Sequence, residues 1–396
     1  MTPPRACSTV IGRFAGPEAN ELAILCRPEG PSPDAVLQAE AAYRSLAALL
    51  ADNRASFEEL ASETLFLGDI RRDLPAVLDA RARILTEVGQ GAGAAAPAFI
   101  QQPPLEYGAA FELAASAIVP RRRDGWSVRD VPATPRCACA GCVRSAARLV
   151  RLGDQTSLYT TNLYGAGGDA LEQATSMFRE AERLLDRCGM AFGDVVRTWI
   201  YLRDIDRDYG ALNKARREFF LRHRIEPHPA STGIQGGPFP EAHDFSMRLH
   251  AVQGPGRLNL APMSSPTLNE AWSYGADFSR GLRVTEANKV ALYVSGTASI
   301  DEAGRTVHVG DFAAQAERML HNVEALLAKQ GATFADLISG VTYLKHRSDA
   351  AVLRARFRER GLDGVPLPLV EAPLCRPDLL CEMEAVAMLP LQSAGA

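Results

Sequence analysis

The segment Cys375-Arg376-Pro377-Asp378-Leu379-Leu380-Cys381-Glu382-Met383-Glu384-Ala385-Val386-Ala387 opens as a proline-marked loop and runs into a strand. Alternation of period two from Leu380 sets Glu382 and Glu384 on one face, with Cys381 and Met383 on the other. A thiol, a guanidinium and a carboxylate thus share one loop-to-strand segment. On an ordinary strand this would be a surface Arg–Glu pair. What gives it weight is that the surrounding architecture occurs three times.

Ala191-Phe192-Gly193-Asp194-Val195-Val196-Arg197-Thr198-Trp199-Ile200-Tyr201-Leu202 is echoed by Thr333-Phe334-Ala335-Asp336-Leu337-Ile338-Ser339-Gly340-Val341-Thr342-Tyr343-Leu344. A fainter copy is Ser56-Phe57-Glu58-Glu59-Leu60-Ala61-Ser62-Glu63-Thr64-Leu65-Phe66-Leu67. The phenylalanines are 135 and 142 residues apart, a domain-sized period rather than a solenoid one. An amphipathic stripe precedes each copy. In the third it is Phe312, Ala316, Met319, Leu320, Val323, Leu326 and Leu327; in the second Met177, Phe178, Ala181, Leu184, Leu185 and Cys188. The first uses Val36, Ala39, Tyr43, Leu46, Leu49 and Leu50. A strand, a second helix, a proline-bearing loop and a closing strand follow in every copy. The unit reads β-β-α-β-α-β, an α+β domain with helices on one face of a mixed sheet. Residues 1–125 hold a degenerate first repeat, expected to be mainly structural. Residues 126–145 read as a linker, 146–253 as the second repeat, 254–271 as another linker and 272–396 as the third repeat.

Composition agrees with a globular chain of several domains. The 396 residues are 47% apolar with a net charge of −4, without the basic excess of a nucleic-acid binder. No apolar run approaches the ~20 residues that span a bilayer. The N-terminus lacks the apolar core of a secretory signal, and eight scattered cysteines suit reduced thiols, so a cytoplasmic location is expected. Cys137, Cys139 and Cys142 are spaced suggestively for zinc but lack a fourth ligand, and are read as linker thiols. Asn162–Gly168 has neither a P-loop nor a dinucleotide fingerprint, and no Gly-x-Ser-x-Gly elbow occurs. No cofactor and no metal are expected.

The Phe-x-Asp-Val turn, the Tyr-Leu strand end and the closing Glu-Met-Glu-Ala-Val-Ala strand resemble the RidA/YjgF family. Its domains form trimers with sites between adjacent subunits. Three copies in one chain therefore imply an intramolecular pseudo-trimer, with helices outside and sheets facing inward. Ser273–Gly281, Val294–Ile300 and Cys375 with Glu382 more specifically resemble the chorismatases, RidA relatives that hydrolyse chorismate. The wider resemblance spans most of residues 30–390, the closer one about the last 240. One departure matters. RidA-type deaminases carry an arginine shortly after the proline of the final loop, where this chain has Pro366-Leu367-Pro368-Leu369, Pro229-Ala230-Ser231 and Pro97-Ala98-Phe99. Enamine or imine deamination is therefore the alternative activity, and a non-catalytic small-carboxylate binder the other.

Chorismate is a dianion carrying an enolpyruvyl ether, so its hydrolysis needs forks for two carboxylates and an acid for carbon protonation. Arg376 and Arg280 are the candidate forks and Tyr274 an orienting donor; Arg280 reads equally as a solvated linker arginine, and Tyr274 as linker packing. The resemblance assigns the acid to Glu382, although Glu384 shares its strand face and the residues alone support either. Cys375 resembles the thiol of chorismatases that release 3-hydroxybenzoate, and Gly296 the residue lining the ring in that subgroup; as a plain residue Gly296 also reads as a bulge glycine. Tyr164, in the second repeat's counterpart of the Gly296 segment, is a further cleft candidate. The expected partner is a small-molecule substrate, with no nucleic acid or membrane, in a monomer or weak homo-oligomer. One active cleft per chain is expected, because Cys-Arg followed by Glu occurs only in the third repeat.

Overall fold

The computed structural model describes residues 7–30, 33–90, 94–132, 145–255, 258–269 and 277–391. The first unit runs β1 (Cys7–Ala15), β2 (Ala19–Pro28), α1 (Ala35–Asp52), β3 (Leu60–Leu67), α2 (Ile70–Glu87), β4 (Ala98–Gln101) and β5 (Phe111–Pro120). The second runs β6 (Trp126–Pro132), β7 (Ser145–Leu152), β8 (Gln155–Thr160), β9 (Leu163–Tyr164), α3 (Ala170–Arg187), β10 (Val195–Leu202), α4 (Ile205–His223), β11 (Ala230–Gln235) and β12 (Phe245–Gln253). The third runs β13 (Asn259–Pro262), β14 (Gly281–Thr285), β15 (Lys289–Ala298), α5 (Phe312–Ala328), β16 (Leu337–Leu344), α6 (Ala350–Glu359), β17 (Leu369–Glu371) and β18 (Cys381–Pro390).

The three sheets share one strand order: β1-β2-β5-β3-β4, β7-β8-β12-β10-β11 and β14-β15-β18-β16-β17. The α+β class and the pseudo-trimer hold, with two refinements. Part of each proline loop forms a short strand paired in parallel to the strand after the first helix, as Arg197 to Ala230 and Thr342 to Leu369. Both expected linkers also supply an edge strand, β6 on β7 and β13 on β14. Edge strands tolerate polar, proline-bearing sequence because only one side is paired, which is why they read as linker.

The repeats are built by the same local devices. Asp34, Asp169 and Asp311, spaced like the phenylalanines, cap α1, α3 and α5 by accepting backbone N–H bonds; such a cap contributes ~1 kcal/mol. In the Phe-x-Asp turn, Asp194 accepts from the Ala191 amide at 2.8 Å and Asp336 from the Thr333 amide at 2.8 Å, with Glu59 doing so for Ser56 at 2.7 Å. A buried glutamine then ties each first helix to the approach of the closing strand. Gln38 accepts from Ala110 and Phe111, Gln173 from Asp244 and Gln315 from Leu380. The stripes of α3 and α5 pack as expected, whereas Val36 of α1 is only half-buried and Ala35 and Gln38 face the core instead.

Short bridges join each unit to the next. Gln101 pairs with Gly237, Pro104 with Val370 and Ala230 with Ser279. Each pair of neighbouring units thus meets where the proline loops lie, and the inner sheet faces surround a central chamber. No helix among the described residues is long and apolar enough to cross a membrane.

Candidate active site

On β18 the alternation divides the strand as the sequence requires. Cys381 and Met383 enter the core under α5, and Glu382 and Glu384 face the other way. The two carboxyls nevertheless reach different places. Glu384 lines the central chamber and is fully engaged: it accepts from Arg197 at 2.7 Å, from the Trp199 indole at 2.6 Å and from the Tyr343 hydroxyl at 3.2 Å. Glu382 lines a cavity of ≈ 170 Å³ at the junction of the second and third units. That separates the pair that the sequence left open.

The cavity is built from both units. From α4 come Tyr209, Asn213 and Arg216, and from β11 Ser231, Thr232 and Gly233. The third unit adds Phe278, Arg280, Gly296, Cys375, Arg376 and Glu382. Gly296 sits where the β15–β18 register shifts between Val294 and Thr297, so it is a bulge glycine and a wall of the cavity at once. A Cβ there would overlap the Glu382 carboxylate and come within 3.2 Å of Thr232. The missing side chain is the space that Glu382 occupies.

Three guanidinium groups face this space. Arg280, only 3% exposed, donates to the Asn269 carbonyl at 2.8 Å and to its side-chain oxygen at 2.9 Å. Arg376 donates to the Gly304 carbonyl at 2.7 Å. Arg216, 2% exposed, donates to Asn213 at 2.7 Å. The Phe278 ring lies under the guanidinium carbons of Arg216 and Arg280, at 5.4 and 5.8 Å, a cation–π placement. Neutral oxygens and an aromatic face are among the partners that hold these three cations at the cavity wall.

Burial pushes the Glu382 carboxyl up to about 8, and the negative Glu384 adds to the rise. Arg197, Arg280 and Arg376 pull the other way without cancelling it. The carboxyl therefore keeps its proton to a higher pH than an exposed glutamate does. Burial, followed by the Glu382 charge, likewise raises the Cys375 thiol to about 12, against the opposing effects of Arg376 and a hydrogen bond with Tyr209. The half-buried Cys375 is thus a neutral thiol.

The structure brings Glu382, Cys375, Arg376, Arg280 and Gly296 together. It does not bring Tyr164 to them. Its hydroxyl donates to the Phe239 carbonyl at 2.7 Å and its ring stacks on His243, so it packs within the second unit, away from this cavity. Tyr274 and the Cys137, Cys139 and Cys142 run lie outside the described residues. Sequence reasoning missed Arg216, Tyr209 and Phe278. A signal existed for Arg216: it falls within the buried stripe of Leu212, Ala215 and Phe219 on α4, where a charged side chain needs a reason. The positions just after the first proline of the loop carry no arginine, as noted, yet the cleft acquires Arg216 from α4, Arg280 from just before β14 and Arg376 from later in the final loop.

Equivalent register positions show what the other units offer. Opposite Phe66, Tyr201 and Tyr343 stand Glu112, Ser246 and Glu382. Glu112 is buried, with neither carboxyl oxygen hydrogen-bonded, and burial raises it to about 8. Its loop reads Gln101-Gln102-Pro103-Pro104, without the Cys-Arg pair.

The family model described as endoribonuclease L-PSP matches residues 145–253 and 273–389. A 3-hydroxybenzoate synthase of Streptomyces hygroscopicus is 28% identical over 233 residues, covering 52% of this chain and 66% of that protein. A chorismatase of Streptomyces rapamycinicus is 28% identical over 226 residues, covering 50% of this chain and 65% of that protein. The matches therefore span just under two thirds of these relatives' length. The 3-aminoacrylate deaminase RutC of Acinetobacter baylyi is 31% identical over 104 residues, 26% of this chain and 82% of that protein. A chorismatase crystal structure superposes with a TM-score of 0.61 at 17% identity, covering 83% of this chain and 93% of that one, a likeness of fold. With the family model matching more than half its length and the same sheet built three times over, the chain belongs to the endoribonuclease L-PSP family.

Proposed function

We propose that the chain converts chorismate to 3-hydroxybenzoate and pyruvate in the cavity around Glu382. One observation carries the reading: a buried glutamic acid, protonated at neutral pH, faces a cavity edged by three guanidinium groups. That combination suits a dianion that must be protonated on carbon. Arg216, Arg280 and Arg376 hold the two carboxylates. Glu382 gives its proton to the methylene carbon of the enolpyruvyl group, which makes the ether carbon electrophilic. A water oxygen added there becomes the keto oxygen of pyruvate as the ether bond breaks, one water proton passing to the freed ring oxygen and the other to the ring hydroxyl that later leaves as water. The Glu382 carboxylate left behind is stabilised by Arg280 and Arg376, and can take up the ring proton lost on aromatisation. One ring hydroxyl departs in that step. The two products together contain the atoms of chorismate, so any water taken up in cleavage is returned in aromatisation. Cys375, a neutral thiol beside the ring, contributes shape and a weak hydrogen-bond donor rather than a thiolate base. The names of the two Streptomyces relatives support the same substrate.

The test is incubation with chorismate, with pyruvate measured enzymatically and the ring product identified by chromatography. Stoichiometric pyruvate and 3-hydroxybenzoate are expected. Absence of pyruvate together with ammonia release from dehydrated serine would transfer the site to deamination, the activity named for the RutC relative. Chorismate-dependent thermal stabilisation without turnover would make it a binder. Pyruvate with 4-hydroxybenzoate or a dihydrodiol would keep the cleavage step and replace the ring chemistry.

A further inference from the structure

A second cavity, also ≈ 170 Å³, lies between the inner faces of all three sheets. Its walls are unequal. At one register position the three sheets present Ala114, Arg248 and Glu384, opposite Thr64, Trp199 and Val341. The bulky cationic and aromatic groups of the second sheet therefore face mainly small residues of the first, which leaves the middle hollow. Arg197 and Arg248 flank Trp199, with guanidinium carbons 5.0 and 5.2 Å from the ring centroid.

The two arginines differ in charge balance. Arg197 is paired with Glu384. Arg248, 8% exposed, donates to Thr64 Oγ1 at 2.6 Å and meets the Tyr201 hydroxyl, and among the described residues no carboxylate lies within 4 Å of it. Its Nε has no hydrogen-bond partner, and neither has Nη1 of Arg197. The chamber's carboxylates engage other cations directly, Glu384 with Arg197 and both Glu21 and Glu286 with Lys289, and burial keeps His250 neutral by lowering it to about 3. A buried cation lacking a counter-charge is costly unless an anion completes it.

We propose that the chamber is a binding site for a small planar carboxylate, seated on Arg248. A guanidinium fork matches a carboxylate, and Phe66, Ala114 and Val341 offer an apolar surface for a flat body. The size fits, since a cavity of about 150 Å³ accommodates benzene. The site is separate from the Glu382 cavity and does not depend on the reaction proposed there; a chain inactive on chorismate would still bind.

The experiment is calorimetric titration of the full chain with benzoate. To silence binding in the Glu382 cavity, the reference protein carries Arg376→Gln. Benzoate is expected to bind this protein at one site per chain, and Arg248→Met in the same background to weaken it at least tenfold. Circular dichroism checks folding. Should Arg248→Met not fold, Ala114→Leu fills the chamber from the first sheet and is expected to abolish the same heat. No benzoate binding by the reference protein, or undiminished binding in the folded variant, overturns the inference.

Discussion

A methyl group at Gly296 would come within 2.9 Å of Cδ of Glu382 and overlap its carboxylate. The glycine and the acid are thus one feature, made by a bulge in β15 and the facing position on β18. Gly296→Ala is expected to displace Glu382 while leaving the fold intact. A displacement of about 1 Å at a reacting group lowers turnover by ~10²-fold. Chorismate kinetics with a melting curve check it, and unchanged kcat would separate the two residues.

Glu382→Gln keeps the shape but removes the acidic proton. Turnover should fall by roughly 10²–10⁴ if general acid catalysis carries the step. Glu384→Ala should act differently, by leaving Arg197 buried without its partner. Breaking such a pair destabilises by about 3–5 kcal/mol. Denaturant melts of both variants beside their kinetics distinguish acid from scaffold.

The raised pKa of Glu382 gives a signed pH dependence. Activity needs the protonated form, so kcat/KM should fall above about pH 8, near tenfold per unit. For stability, the folded-state value lies above the ordinary glutamate value of about 4.5, so the contribution is full below about 4.5 and is lost as pH rises through about 8. One such group contributes a slope of up to ~1.4 kcal/mol per pH unit inside that window. Glu382→Gln should flatten the slope, and Glu112→Gln should do so as well. Melts at pH 5, 6.5 and 8 measure this; a stability that rises across the window in the native chain would contradict it.

Arg216→Met removes a cation that the sequence did not single out, on the second unit's side of the cleft. A lost charged hydrogen bond is worth ~1.5–3 kcal/mol. KM for chorismate should therefore rise by roughly 10–100-fold. An unchanged KM would confine carboxylate binding to Arg280 and Arg376.

Cys375→Ala should spare pyruvate release better than it spares 3-hydroxybenzoate, diverting ring product to a dihydroxycyclohexadiene or another hydroxybenzoate. Product ratios by chromatography decide this. An unchanged ratio would reduce Cys375 to packing against Tyr209.

The sequence by itself determined the repeat, because helix stripes, capping aspartates and the Phe-containing turn are local and recur in the same order in each copy. Asp34, Asp169 and Asp311 start a helix through bonds to their own next turn, whatever lies across the interior. It also put Glu382 and Glu384 on one strand face, since alternation is a backbone property. The edge strands β6 and β13 were not legible, because pairing on one side imposes little hydrophobic pattern. Only the tertiary structure gave the two glutamates different surroundings, and so a reason to propose Glu382 as the acid. Arg197, 187 residues away, neutralises Glu384, whereas Glu382 meets cations in a desolvated cavity made by two units. The same long-range closure brought Arg216 in from α4 and kept Tyr164 out. Burial and Coulomb interaction depend on distance in space, and a chain that folds three units around one axis sets those distances independently of order along the sequence.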